Sequence, residues 1–253
     1  MTPEGLERAV RALARAGRVV ASTGAGMSRE SGIPTFRDAR EGLWARYDPE
    51  ELATERGFRA DPRLVWSWYT GRRRRISACE PHAGHRALAE LERLVPGLTV
   101  VTQNIDGLHA LAGSSDVVEL HGNIHRAKCL DAHHPFNGEL PDEDGDPPPC
   151  PRCGSPLRPD VVWFGEVLPE DATARAWRLA EECDVMLVVG TSGLVYPAAD
   201  LPRVARRAGA RIVEVNPEPS GITPLADVFL QGTAGTVLPA LVDGVRRERA
   251  APG

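Results

Sequence analysis

Lysine is almost missing from this chain. Lys128 is the only one in 253 residues, and arginine carries the rest of the positive charge. We read this as codon bias in a GC-rich genome. Long apolar runs are missing as well: none approaches the ~20 residues that a membrane helix needs. The N-terminus lacks the basic-then-apolar pattern of a secretory signal. The expectation is a soluble, cytoplasmic protein with no membrane partner. A positive excess is also absent. The formal net charge is −5, which argues against nucleic acid as the main ligand. Cysteines number five, an odd count, and two of them stand as Cys150-x-x-Cys153. That favours a metal over a disulfide framework. Aromatics make up only 5% of the chain, yet Phe36, Trp44, Tyr47, Phe58, Trp66, Trp68 and Tyr69 crowd one stretch.

The composition is 42% hydrophobic, enough for one large domain or one domain with an inserted lobe. Thr2 and Pro3 open a helix whose apolar side is Leu6, Val10 and Leu13, and Gly17 closes it. A strand follows over 18–22. Residues 34–80 show no strand pattern and read as a helical insert. An amphipathic helix covers 81–94, and strands cover 98–102 and 117–120. Residues 129–160 are rich in Pro, Gly and Asp and read as a loop-built insert that needs an external staple. Residues 161–164 are extended. A helix over 172–182 leads to a buried strand over 185–189. A helix over 198–208, bent near Pro202, leads to a strand over 211–215.

Strands alternating with helices imply an α/β fold with a doubly wound, Rossmann-like parallel sheet. The smaller lobe combines the helical insert with a zinc-ribbon-like insert. The expected division gives 1–33, 81–122 and 161–253 to the sheet domain. The helical insert takes 34–80 and the metal-binding insert 123–160. Ligands of such sheets sit beyond the carboxyl ends of the strands.

The polar blocks fall at those ends. The first strand runs into Gly24-Ala25-Gly26-Met27-Ser28, a turn that only small residues make. Its glycines let a pyrophosphate approach the backbone. The third glycine of the dinucleotide fingerprint is absent, so the turn alone leaves a plain tight turn and a nucleotide site both open. Gly32-Ile33-Pro34-Thr35-Phe36-Arg37 follows, placing a ring and a cation beside the turn. His121 lies just past a strand. It either caps that strand or serves as a general base, since its ordinary pKa of ~6.5 allows proton transfer near neutrality. Asn104 and Asp106 sit two apart, so an extended stretch points them the same way; an Asx turn is the alternative. Asn216 and Glu218 follow a late strand, where a carboxylate can bind ribose hydroxyls or lie in a solvated loop.

Taken in order, these blocks resemble the sirtuins, NAD-dependent protein lysine deacylases. The likeness covers Gly24 to Ser28, Gly32 to Arg37, Thr102-Gln103-Asn104-Ile105-Asp106, His121-Gly122, Gly190-Thr191-Ser192 and Asn216-Pro217-Glu218. It runs from about residue 17 to 241. By that resemblance the cofactor is NAD and the partners are acylated-lysine proteins or peptides. His121 deprotonates a ribose hydroxyl, and Asn104 holds a water or ribose near the reacting carbon. Ile105 and Asp106 shape the nicotinamide pocket, and Gln103 meets the ribose. Gly24, Ala25, Gly26, Ser28, Phe36 and Arg37 surround the phosphates and the nicotinamide-side ribose; Phe36 also suits an ordinary core. Gly190, Thr191, Ser192, Asn216 and Glu218 serve the adenosine side, and Ala234 closes over the adenine from a turn spanning 231–236. Val162, Phe164 and Gly165 belong to the substrate strand, and Val195 to its partner. His82, His85 and His109 read as structural.

Two features carry further detail. The family binds a structural zinc through two Cys-x-x-Cys pairs. Here Cys150 and Cys153 are present with Cys129, but Ala132 replaces the other cysteine. Three thiolates leave a tetrahedral site open. The fourth ligand is His133 or His134, with Asp131 a weaker candidate; loss of the metal is the alternative. Tyr69 and Arg72 sit three apart and share a helix face. They resemble the Tyr-x-x-Arg signature of class III sirtuins, which remove succinyl and malonyl groups. Against this, Arg72 opens the run Arg72-Arg73-Arg74-Arg75, and such runs are usually solvated.

The expected activity is therefore NAD-dependent removal of succinyl, malonyl and acetyl groups from lysine, yielding nicotinamide and O-acyl-ADP-ribose. The rivals are a hydride-transferring dehydrogenase, a non-catalytic NAD or ADP-ribose sensor, an ADP-ribosyltransferase and a deacetylase without acidic-acyl preference. The Tyr-x-x-x-Lys dyad of short-chain dehydrogenases is excluded, because Ile124 stands four before Lys128.

Overall fold

A computed structural model describes residues 1–34 and 49–250. Helix α1 (Pro3–Arg15) is opened by Thr2, whose hydroxyl accepts from the Gly5 amide, and it buries Ala9, Val10 and Leu13. Strand β1 (Val19–Thr23) is wholly buried and leads into a 3₁₀ helix over Ala25–Ser31. Helices α2 (Pro49–Leu52), α3 (Glu55–Ala60) and α4 (Pro62–Ser77) follow, the last capped by Asp61. Next come α5 (Ala83–Leu94), β2 (Leu98–Thr102), α6 (Leu108–Leu111) and β3 (Val117–Glu119). Then come β4 (Gly122–Cys129), β5 (Pro135–Phe136) and β6 (Leu157–Val161). The chain continues through α7 (Glu170–Glu182), β7 (Val185–Val189), α8 (Leu201–Arg207) and β8 (Arg211–Asn216). It ends in β9 (Val228–Gln231) and α9 (Ala234–Ala250). No helix among the described residues is long and apolar enough to cross a membrane.

Six strands form one sheet in the order β3-β2-β1-β7-β8-β9, with every pair parallel. Helices cover both faces, so the strands are apolar on both sides. In β7, Val185, Leu187 and Val189 join the core under α1, α5 and α9, while Met186 and Val188 join the core under α7 and α8. Strand order reverses between β1 and β7, the switch point at which such sheets bind ligands.

A third core joins the remaining parts. Phe58, Val65, Trp66, Trp68 and Tyr69 from the helical segment pack with Ile124, Leu157 and Trp163. The 129–160 region is less irregular than its composition suggests. β4, β5 and β6 form an antiparallel sheet in the order β5-β4-β6. Its strands escape a pattern search because β4 exposes His125 and Arg126, and β6 carries Pro159. The expected helix over 198–208 divides just before Pro202: a 3₁₀ turn over Ala198–Asp200 passes into α8, and Pro202 sits in the first turn of α8, where its missing N–H costs no hydrogen bond. β9 and the long α9, which the sequence reading omitted, complete the sheet domain.

Candidate active site and metal centre

At the switch point two turns cross backbone to backbone. The Gly26 amide donates to the Gly190 carbonyl at 2.8 Å, and the Gly24 amide to Val189 at 3.1 Å. Gly190 holds φ +61, and a Cβ there would lie 2.3 Å from the Met27 nitrogen. Beside this crossing is a cleft walled by Gly26, Arg29, Glu30, Gly190, Thr233 and Ala234. Ala234 is therefore the opening residue of α9 rather than part of a loose turn. Glu30 holds that end, accepting from the Gly235 amide at 2.7 Å and the Thr233 hydroxyl at 3.0 Å.

Asn104 and Asp106 converge on one atom. The Asn104 amide donates to Ser28 Oγ at 3.0 Å, and Ser28 Oγ donates to Asp106 Oδ2 at 2.7 Å. Ser28 is fully buried and Asn104 and Asp106 nearly so. Burial raises the Asp106 pKa, opposed by the Ser28 and Leu108 hydrogen bonds and by the charges of His125 and Arg72. Behind this group, His82, His85 and His109 form a run of edge-stacked rings, with centroids 4.3 and 5.0 Å apart. His85 Nε2 lies 3.5 Å from Ser28 Oγ, and His109 Nε2 lies 3.0 Å from Thr23 Oγ1. These histidines, read from sequence as structural, thus line the rear of the polar site.

His121 is half-buried. Its Nδ1 lies 2.9 Å from the Gln103 carbonyl. A carbonyl only accepts, so Nδ1 carries the proton and Nε2 keeps its lone pair. Burial lowers its pKa and the Gln103 contact partly restores it. At neutral pH the imidazole is uncharged, the state required of a base. The next residue, Gly122, holds φ +77 where a Cβ would meet the Asp160 carbonyl at 2.1 Å. Glycine at this position lets the chain turn from β3 into β4 while leaving His121 at the sheet edge.

The β8 end is organised by a residue the sequence reading passed over. Glu214 is fully buried and accepts from Ser220, Thr223 and Asn216. Asn216 also donates to the Thr191 carbonyl at 2.8 Å, and Gln103 donates to Thr191 Oγ1 at 3.4 Å. Ser192 Oγ accepts from the Leu194 amide at 3.3 Å, and Glu218 is exposed beyond the strand. One acid inside a continuously buried strand, Ile212-Val213-Glu214-Val215, is the signal that marks Glu214.

On α4, Tyr69 is buried and Arg72 half-buried. The arginine run divides. Arg73 donates to the Pro141 carbonyl and Arg74 pairs with Asp144, tying α4 to the loop before Cys150. Arg72 instead lies over Trp68, 5.4 Å from its ring centroid, and has no ion pair among the described residues. Burial lowers its pKa, and the charge of Asp106 opposes that. Nearby, Val162 donates its amide to the His121 carbonyl at 3.0 Å, so the segment after β6 begins beside His121. Phe164, Val167, Leu194, Val195 and Tyr196 are exposed apolar side chains on the segments that follow β6 and β7. Gly165 stands between two of them with open space at its Cα.

Four metal donors meet at the far end of the small sheet. Cys129, His134, Cys150 and Cys153 bring their ligand atoms within 4.8 Å of one another. His133 takes φ +51, turning the chain so that His134 is the histidine that enters. The Ala132 amide donates to Cys129 Sγ at 3.4 Å and draws that thiol down to about 7. His134 Nδ1 is buried and has no hydrogen-bond partner among the described residues. Three thiols and an orphaned imidazole nitrogen are the donor set of a structural Zn²⁺. Asp131, the weaker candidate, is engaged by Arg59 and Ser155.

A family model described as Sir2 family matches residues 24–197. The chain belongs to the Sir2 family. A relative from Pyrobaculum aerophilum, named NAD-dependent protein deacylase 2, is 57% identical over 235 residues, covering 93% of this chain and 94% of its own. A solved Sir2 homologue–NAD complex is 45% identical with a TM-score of 0.91, over 96% of this chain and 95% of that one. Sir2Af2 bound to a myristoylated histone peptide is 37% identical with a TM-score of 0.77, over 98% and 99%.

This Sir2 chain brings Gly24, Ala25, Gly26, Ser28 and Gly190 to one end of the sheet, with Gln103, Asn104, Asp106 and His121 beside them. Ile105 is half-buried against the small lobe's core, and its carbonyl accepts from the Ile124 amide at 2.9 Å. A backbone crossing of glycines that admits no side chain, flanking hydroxyls and an exposed acid suit a pyrophosphate-linked dinucleotide. Phe36 and Arg37, also assigned to the cofactor, lie outside the described residues.

Proposed function

We propose that this chain is an NAD-dependent protein-lysine deacylase that removes succinyl and malonyl groups in preference to acetyl. The deacylase reading rests on His121, a neutral imidazole whose Nδ1 is engaged and whose Nε2 is left to accept. The acidic-acyl reading rests on Arg72, which lies inside the lobe beside Tyr69 while its neighbours Arg73 and Arg74 are tied outside.

NAD, when bound, supplies the ribose carbon that takes the acyl oxygen and releases nicotinamide. The residues of this chain do the rest. The glycine crossing receives the pyrophosphate, and Thr191, Ser192, Asn216 and Glu218 serve the adenosine end. Asn104 and Asp106, locked on Ser28, shape the nicotinamide side with Ile105. His121 Nε2 takes a proton from a ribose hydroxyl, and its hydrogen bond to Gln103 fixes the ring for that transfer. Val162, Phe164, Gly165 and Val195 hold the peptide as an added strand, reading main chain more than sequence. Sir2Af2 is solved with a myristoylated histone peptide, in keeping with an acylated peptide as substrate. Cys129, Cys150, Cys153 and His134 hold zinc away from the reacting atoms, as a staple for the small sheet.

A guanidinium and a phenol together suit a carboxylate at the end of an acyl chain. The test compares kcat/KM on succinyl-, malonyl- and acetyl-lysine versions of one peptide. Wild type is expected to favour the acidic groups. Arg72→Met is expected to remove ~1.5–3 kcal/mol of that preference, the range for a hydrogen bond to a charged group. Equal losses on all substrates would make Arg72 a support of the lobe.

A further inference from the structure

Trp163 connects the segment after β6 to Tyr69 on α4 through one polar atom. Its ring is buried at 2% exposure. Arg158 stacks on it, with Cζ 3.3 Å from the ring centroid, and the Phe58 ring lies 5.4 Å away. Arg158 is itself fully buried and grips Glu166, which accepts the Trp163 backbone amide at 2.9 Å. Backbone and ring are therefore both held. The indole Nε1 then lies 3.0 Å from Tyr69 Oη.

The direction of that hydrogen bond is not a matter of choice. An indole N–H can only donate, and a phenol can do either. Tyr69 must accept from Trp163, so its own proton points elsewhere. Burial raises the Tyr69 pKa, opposed by Arg72 and by the Trp163 hydrogen bond, so the phenol keeps that proton at neutral pH. Among the described residues Tyr69 has no acceptor for it. A phenolic hydroxyl has two favoured in-plane orientations. The indole occupies one of them as donor, so the phenolic proton takes the other.

We infer that Trp163 is a specificity-determining positioning residue: its indole N–H fixes the Tyr69 hydroxyl as a donor to the distal carboxylate of an acidic acyl group. This rests on the reading of Tyr69 and Arg72 given above. Without the indole N–H, the phenol rotates between donor and acceptor states. The acceptor state opposes a carboxylate, whereas a neutral acetyl group is indifferent to it.

The test is Trp163→Phe, which keeps an aromatic ring on Arg158 and removes the N–H. Thermal melting checks that the variant folds. Benzothienylalanine at position 163, which keeps the bicyclic shape, serves where phenylalanine leaves too large a gap. Succinyl- and acetyl-lysine versions of one peptide are compared by kcat, KM and direct binding. The succinyl-to-acetyl ratio is expected to fall roughly 3- to 10-fold, the worth of one neutral hydrogen bond, mainly through KM and binding. In a Tyr69→Phe background, Trp163→Phe is expected to leave the ratio unchanged, because no hydroxyl remains to orient. A wild-type preference that survives Trp163→Phe overturns this inference alone, as do equal losses on both substrates or independent effects in the double variant. A wild type with no acidic preference overturns the parent reading as well.

Discussion

Gly26 and Gly190 touch through their backbones, with the amide of one 2.8 Å from the carbonyl of the other. This contact joins the ends of β1 and β7 at the point where strand order reverses. It leaves no room for side chains, so the fold itself requires glycine at both positions. Gly190→Ala places a Cβ 2.3 Å from Met27 N at a left-handed φ. The variant is expected to lose ~1–3 kcal/mol from overpacking, with backbone strain added. A urea midpoint equal to wild type would show that the turns can separate without cost.

His121→Ala is expected to keep the fold and NAD binding while losing turnover ~10²-fold or more. The wild-type pH profile carries the same assignment. The neutral imidazole is the active form, and burial lowers its pKa below the ordinary 6.5. Activity should therefore fall on the acid side through a pKa under 6.5 and hold through neutrality. An acid limb centred above 6.5, or near-normal turnover of the variant, would remove His121 from the base role.

The buried histidines make stability depend on pH. Burial together with neighbouring positive charge lowers His85 to about 2 and His109 to about 4. Both are neutral in the folded chain at pH values where the unfolded chain protonates them. Their contribution is complete above ~6.5 and shrinks as pH falls below it, with a slope approaching ~1.4 kcal/mol per unit for each. Urea denaturation at pH 7 and pH 5 should show this loss, and His109→Gln should reduce it. A flat profile between those values would contradict the assignment.

Protein purified without added metal should contain about one zinc per chain. His134→Ala should lose the metal and lower the melting temperature, while His133→Ala should keep it. Elemental analysis with thermal melting decides this. Zinc retained in the His134 variant would place the fourth ligand elsewhere.

The sheet was legible because its strands are buried on both faces. Runs such as Val185 to Val189 leave little choice, and the polar blocks at their ends mark the switch point. Tyr69 and Arg72 share a helix face by their spacing, but it was the resemblance to the Tyr-x-x-Arg signature that singled them out as a pair. The small antiparallel sheet was not, since β4 alternates poorly and β6 contains a proline. The fourth metal ligand stayed open because His133 and His134 are neighbours, and only the left-handed turn at His133 selects between them. Trp163 was visible in the peptide segment, but its bond to Tyr69 spans a sequence distance that no local pattern carries. Glu214 and the histidine stack likewise depend on which strands and helices become neighbours.

The most direct test incubates the purified protein with NAD and a peptide carrying succinyl-lysine or acetyl-lysine, and identifies the products by mass spectrometry. The expected result is nicotinamide, unmodified lysine peptide and O-acyl-ADP-ribose in equal amounts, formed faster from the succinyl peptide. Release of nicotinamide with an ADP-ribosylated peptide, or loss of the acyl group without NAD consumption, would contradict it.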